Sequence, residues 1–210
     1  RGIPAVRRLL LMGPPGSGKG TQAAIVGARL GTSAISTGDI FRANVAGKTP
    51  LGIEAKKYIS QGEYVPDSVT NAMVRSRLSR PDAATGFILD GYPRTVSQVE
   101  FLDDVLAEQG TKLDAVIALV VDVEEVVKRL LRRADAEGRS DDTEDVIRHR
   151  LKLFAEQTAP LAEIYEGRGL LTRVYGVGPV AEVAARMLAV VTNGDDVTVP
   201  DLTGDSTPRA

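Results

Sequence analysis

Arg8-Leu9-Leu10-Leu11-Met12-Gly13-Pro14-Pro15-Gly16-Ser17-Gly18-Lys19-Gly20-Thr21 decides how the chain is read. The apolar run up to Met12 reads as a buried strand. Gln22 to Leu30 reads as a helix. Strand, glycine loop and helix form the context in which G-x-x-x-x-G-K becomes a phosphate loop. Its glycines let backbone N–H groups curl around an anion with no Cβ in the way. The helix N-terminus adds partial positive charge, and Lys19 brings an ammonium for the outer phosphates. One position departs from the general motif. The residue after the lysine is usually Ser or Thr, whose hydroxyl binds Mg²⁺, but here Gly20 stands there and Thr21 follows. The bland alternative is a glycine turn that binds nothing, and the flanking strand and helix weigh against it.

The bulk composition narrows the classes. With 210 residues the chain suits one large domain, or one domain with insertions. Hydrophobic residues make up 43% and charged residues 26%, as in a soluble globular protein. A formal net charge of −2 argues against a general nucleic-acid binder. Cysteine is absent, which removes disulfides, thiolate catalysis and thiolate metal sites. No apolar run has the length of a membrane span, and no secretory signal is visible. The expectation is a cytoplasmic protein without membrane or nucleic-acid partners.

Further strands are expected at Ser33–Ser36, Phe87–Asp90, Ala115–Val121 and Leu170–Val174. The continuous apolar run of Ala115–Val121 implies burial on both faces, as in a parallel sheet. Helices are expected at Ile40–Val45, with Asp39 as a candidate cap, and at Asp67–Leu78, with Val69, Met73 and Leu78 inward. Pro81 should end the latter. Thr95 should cap a helix through Leu106. Helices also follow at Glu124–Arg133, at Thr143–Gly167 with a break near Pro160, and from Val177-Gly178-Pro179 to about Val191. Residues 46–65 are polar and poor in large apolar residues, and read as an insertion. Residues 193–210 read as a disordered acidic tail. The alternation predicts an α/β fold: a parallel five-stranded sheet flanked by helices in three layers, with right-handed crossovers.

Four blocks stand in order: Gly13 to Thr21; Ser36-Thr37-Gly38-Asp39-Ile40-Phe41-Arg42; Asp90-Gly91-Tyr92-Pro93-Arg94 with Gln98; and Gly138-Arg139-Ser140-Asp141-Asp142 followed by Arg150. Together they resemble the adenylate kinases of the nucleoside monophosphate kinase family, over residues from about 7 to 190, and Gly20 is what that family shows. The chemistry also makes sense from the residues themselves. Transfer between two nucleotides must neutralise about four to six oxyanion charges by positioning and electrostatics, without a covalent nucleophile. Arginine forks suit phosphate oxygens. A lone arginine is ordinarily a solvated surface charge, but Arg42 and Arg94 follow glycine loops at strand ends, where open α/β sheets bind ligands.

The resemblance implies roles residue by residue. Gly16, Ser17, Gly18, Lys19, Gly20, Thr21, Arg129, Arg133 and Gly178 fall on the ATP side. Thr37, Arg42, Glu63, Tyr64, Val65, Gly91, Tyr92, Pro93, Arg94 and Gln98 fall on the AMP side. Lys19, Arg94, Arg133, Arg139 and Arg150 serve transfer, with Arg139 and Arg150 also against AMP. Asp90 would hold Mg²⁺ through water, its alternative being a loop cap. Asp141 and Asp142 are caps or hinge residues, and His149, the sole histidine, reads as surface. Residues 1–35, 66–132 and 144–192 would form the core, 36–65 the mobile monophosphate-binding insertion and 133–143 a mobile short lid without zinc. ATP, AMP and ADP are the implied partners of a monomer.

Three rivals remain at this point. A UMP/CMP kinase of the same fold is disfavoured by Thr37 and Gln98, where the pyrimidine relatives tend to Ala and Asn. A silent nucleotide sensor is disfavoured because the phosphate-binding arginines are present. A phosphate-loop NTPase that drives a partner lacks a recognisable residue to orient a nucleophile.

Overall fold

The computed structural model describes residues 7–137 and 143–193. Arg139, Asp141 and Asp142, the middle of the expected lid (138–142) and nearly all of the acidic tail lie outside these. Five strands form one parallel sheet in the order β2-β3-β1-β4-β5: β1 Arg7–Met12, β2 Ser33–Ser36, β3 Gly86–Asp90, β4 Ala115–Val120 and β5 Leu171–Tyr175. Helices α1 Lys19–Leu30 and α10 Val180–Asn193 carry residues that pack on one face, against Leu9, Leu11 and Ile88. Helices α4 Asp67–Leu78, α6 Val96–Glu108 and α9 Leu161–Gly167 pack on the other, against Leu10, Met12, Phe87 and Leu89. Neighbouring residues of β1 therefore serve opposite cores, which is why the strand has no polar face. The expected three-layer α/β fold is borne out.

Several local expectations shift. Helix α2, Thr37–Ala46, starts three residues early, and Ser36 is its cap, accepting from the Asp39 N–H at 3.2 Å. Asp39 instead pairs with Arg42 at 2.5 Å. In α4 the buried positions are Thr70, Val74 and Leu78, with Val69 and Met73 half-buried. Pro81 opens a short helix, α5 Pro81–Ala84, its fixed φ suiting a first turn. Helix α7, Val123–Glu137, runs four residues past Arg133. The helix expected at Thr143–Gly167 with a break near Pro160 is α8, Glu144–Leu153, then a π turn at Phe154–Thr158, then α9 with Pro160 at its N-cap. Of the strands, β3 rather than β4 is buried throughout.

Helix α3, Pro50–Ile59, and α2 lie within the stretch expected to be an insertion, around a small cluster of Phe41, Ala55 and Val65. Three buried side chains are far fewer than those of the two sheet clusters. No helix among the described residues is long and apolar enough to cross a membrane.

Candidate active site

A cleft of about 450 Å³ opens at the C-terminal ends of the strands, within the range of small-ligand sites. Its floor is the loop between β1 and α1. Gly18, in the left-handed region at φ 92°, caps α1 with no side chain, so the first-turn N–H groups face the cleft unblocked. Gly16 also has positive φ, 79°, and a Cβ there would stand 2.7 Å from Leu130 Cγ, so α7 and the loop approach through the glycine. Gly16, Gly18, Lys19, Gly20 and Thr21 line the cleft, and Ser17 is buried beneath it.

The Lys19 ammonium turns back on its own loop. It donates to the carbonyls of Gly13 at 2.8 Å and Pro14 at 2.9 Å. The side chain as a whole is half-buried, but its charged end sits at the cleft floor. Burial lowers its pKa to about 8; Asp90 pulls upward, while Arg94, Arg150 and Arg133 push further down. Those opposing charges show that cations from three separate elements converge on the lysine.

Asp90 ends β3, next to the loop floor, and is 8% exposed. Burial pushes its carboxyl up, against the pull of Lys19 and Arg94. Among the described residues its carboxylate receives no hydrogen bond. Gly91, Tyr92, Pro93 and Arg94 continue along the same edge. Gly91 has φ 84°, and a Cβ there would meet Thr37 Oγ1 at 2.6 Å, so the β3 loop and the start of α2 touch through it. Arg94 Nε donates to the Gly91 carbonyl at 2.8 Å, and its guanidinium lies 5.0 Å from the Tyr64 ring centre. Arg42, Arg133 and Arg150 complete the cationic wall.

A smaller pocket of about 70 Å³ adjoins the cleft and shares Arg42, Gly91, Arg94 and Arg150 with it. Thr37, Glu63, Val65 and Gln98 line this annex. Thr37 is buried and its hydroxyl donates to the Asp90 carbonyl at 3.4 Å. Gln98 is also buried, its amide held by Asp67 and the Arg94 N–H.

Arg129, Gly178 and His149 are placed differently from the cationic wall. Arg129 borders the cleft, but its fork is engaged by Glu125, the Ser17 carbonyl and the Gly176 carbonyl, so it clasps the phosphate loop to the β5 edge. Gly178 is not among the described residues that line the cleft. His149 is partly exposed, as expected of a surface residue, yet it lies 2.7 Å from Glu63 and bridges α8 to the insertion. Sequence reasoning missed Thr158. Its hydroxyl meets Tyr64 Oη at 2.7 Å and donates to the Arg94 carbonyl at 2.9 Å. The sequence marks Asp67 only as the start of a helix. No local pattern marks either residue, because both partners lie far away in the chain.

Comparison with known proteins agrees with the geometry. A family model described as Adenylate kinase matches residues 11–170. The chain is 60% identical over 184 residues to an adenylate kinase of Pseudarthrobacter chlorophenolicus, covering 88% of this chain and 96% of the relative. It is 62% identical over 180 residues to one from a Nocardioides species, covering 86% and 94%. It is 55% identical over 184 residues to one from Thermobifida fusca, covering 88% and 97%. The motif order, the cleft and these similarities over most of the chain agree, and the chain belongs to the adenylate kinase family.

Proposed function

We propose how this member of a phosphotransferase family divides its cleft for the transfer ATP + AMP ⇌ 2 ADP. The phosphate loop and the α1 N-terminus hold the β-phosphate region of ATP, with Lys19 on the oxygens of the transferring group. Arg42 and Arg94 hold the AMP phosphate, and the annex between Thr37 and Gln98 takes the adenine. Arg133 and Arg150 bridge the two phosphate sites, joined by Arg139. Charge develops on the transferring group while both ends are fixed, so preorganised cations serve the transition state directly. Asp90 suits a hydrated magnesium ion: its buried carboxylate faces the phosphate loop and no described residue competes for its oxygens. That ion would supply further neutralisation of phosphate charge.

The insertion, residues 36–65, and the lid, residues 133–143, close over this site and exclude water, so that the phosphoryl group reaches AMP rather than hydrolysing. The small separate cluster of α2 and α3 supports the first of these motions. Both halves of the cleft come from one chain, in keeping with action as a monomer. Activity in the cytoplasm, apart from nucleic acid and membrane, belongs to the same reading.

The observation that carries this reading is the convergence of Arg94, Arg133 and Arg150 on Lys19 beside Asp90. A molecule joining two adenosines through five phosphates tests it. It should bind far more tightly than ATP or AMP, since engaging one site raises the effective concentration at the other. It should also protect residues 36–65 and 133–143 from proteolysis. Binding no tighter than ATP, without protection, would remove the two facing sites.

A further inference from the structure

Asp67 belongs to none of the blocks that carry the family resemblance, yet its carboxylate is tied to the acceptor pocket. It is the first residue of α4. Oδ1 accepts from Gln98 Nε2 at 2.7 Å, and Oδ2 accepts from the Thr95 hydroxyl at 3.2 Å. Gln98 Oε1 in turn accepts the Arg94 backbone N–H at 2.7 Å. The same Thr95 hydroxyl caps α6 by accepting the Gln98 N–H at 3.3 Å. Gln98 is 1% exposed, so no solvent substitutes for any of these partners.

A primary amide can ordinarily flip, exchanging its oxygen and nitrogen, and so pair with a donor–acceptor edge of either sense. Gln98 cannot. An ionised carboxylate only accepts, and a backbone N–H only donates. A flipped Gln98 would set oxygen against carboxylate and N–H against N–H, mispairing both polar ends of the buried amide with their partners. The fixed amide keeps one free N–H and one free oxygen lone pair, in one spatial order. Adenine offers an amine donor at C6 beside a ring-nitrogen acceptor, the pair that a glutamine amide recognises. Guanine and hypoxanthine carry an acceptor oxygen at C6 instead, so the amide oxygen that would accept adenine's amine faces another acceptor.

We infer that Asp67 is a specificity-determining positioning residue: by locking the Gln98 amide, it selects 6-aminopurine over 6-oxopurine monophosphates as acceptors. This rests on the annex being the acceptor-base site. Asp67 acts through Gln98 and needs no contact with the nucleotide. It also links specificity to the start of α4, the helix that follows the insertion.

The test compares AMP with IMP and GMP as acceptors for Mg·ATP, using three variants. Asp67→Asn is nearly isosteric, but an asparagine can offer Gln98 either a donor or an acceptor. It should raise the AMP KM roughly threefold to thirtyfold and raise the IMP-to-AMP ratio of kcat/KM by about tenfold. The KM for ATP should stay within about twofold. Thr95→Val removes the other carboxylate contact but leaves Gln98 facing an acceptor, so it should lower the melting temperature and leave the ratio unchanged. AMP and IMP falling in parallel in Asp67→Asn, or Thr95→Val changing the ratio equally, would reduce Asp67 to a stabilising residue. Gln98→Ala separates the two levels. If it leaves AMP and base preference untouched, the annex is not the base site and both readings fail. If it alters them while Asp67→Asn does not, the pocket reading stands and the lock is refuted. Should Asp67→Asn not fold, proton exchange in the unsubstituted protein decides: slow exchange of the Gln98 side-chain amide supports the lock, and free exchange overturns it.

Discussion

The hydroxyls of Tyr64 and Thr158 lie 2.7 Å apart, joining the insertion to the π turn after α8 across 94 positions of sequence. Thr158 passes the connection to the Arg94 carbonyl, and the Tyr64 ring rests against the Arg94 guanidinium. One phenol therefore holds Arg94, an arginine of the proposed acceptor site, from two sides. Tyr64→Phe keeps the ring contact and removes the hydrogen bond, which is worth about 0.5–1.5 kcal/mol. The expected outcome is a twofold to tenfold rise in the AMP KM with little change for ATP, read from initial rates. An equal effect on both substrates would mean that the contact stabilises the fold generally.

Lys19→Met should fold normally and lose several orders of magnitude in turnover. The lysine's hydrogen bonds to Gly13 and Pro14 stay within one loop, whereas its charge near the transferring group is worth about 3 kcal/mol or more. Circular dichroism with steady-state rates checks this. Turnover near that of the unsubstituted protein would exclude Lys19 from the transfer.

Burial holds the Lys19 pKa near 8 without nucleotide, and a polyphosphate beside it favours the ammonium. Nucleotide binding between about pH 8 and 10 should therefore take up a proton, and ATP affinity should fall as pH rises through about 8. Calorimetry in two buffers of different ionisation enthalpy measures the uptake, which Lys19→Met should abolish. For folding the sign is opposite. The unfolded chain binds this proton more tightly, so between about 8 and 10.5 this group makes stability rise with pH.

Gln98→Ala should raise the AMP KM roughly threefold to a hundredfold and leave that for ATP nearly unchanged. It should also lower the melting temperature by a few degrees, since the Asp67 carboxylate and Arg94 N–H lose a buried partner. A weakened ATP site with an intact AMP site would show that the acceptor base lies elsewhere.

The sheet was legible in the sequence because both faces are buried. Strands such as Phe87-Ile88-Leu89 then read as unbroken apolar runs, and no amphipathic signal is needed. The phosphate loop was legible because its glycines are demanded locally by positive φ and close approach at Gly16. The shared cleft of Lys19, Arg94 and Arg150 followed from the order of the motifs. What stayed hidden is set by tertiary contact. Ser36 rather than Asp39 caps α2 because Asp39 finds Arg42 in the next turn. The π turn at Phe154 brings Thr158 to Tyr64, a partner no window of sequence contains. Asp67 and Gln98 are 31 residues apart, and each reads alone as an ordinary helix residue.

Supplying Mg·ATP with AMP, GMP, CMP or UMP in turn and following diphosphate formation tests the central claim most directly. Rapid, reversible production of two ADP from ATP and AMP, with much slower use of the other three, is the result predicted by a cleft that joins the phosphate loop to the Thr37–Gln98 annex. Preferred phosphorylation of UMP or CMP, or ATP consumption unaffected by any monophosphate, would contradict it.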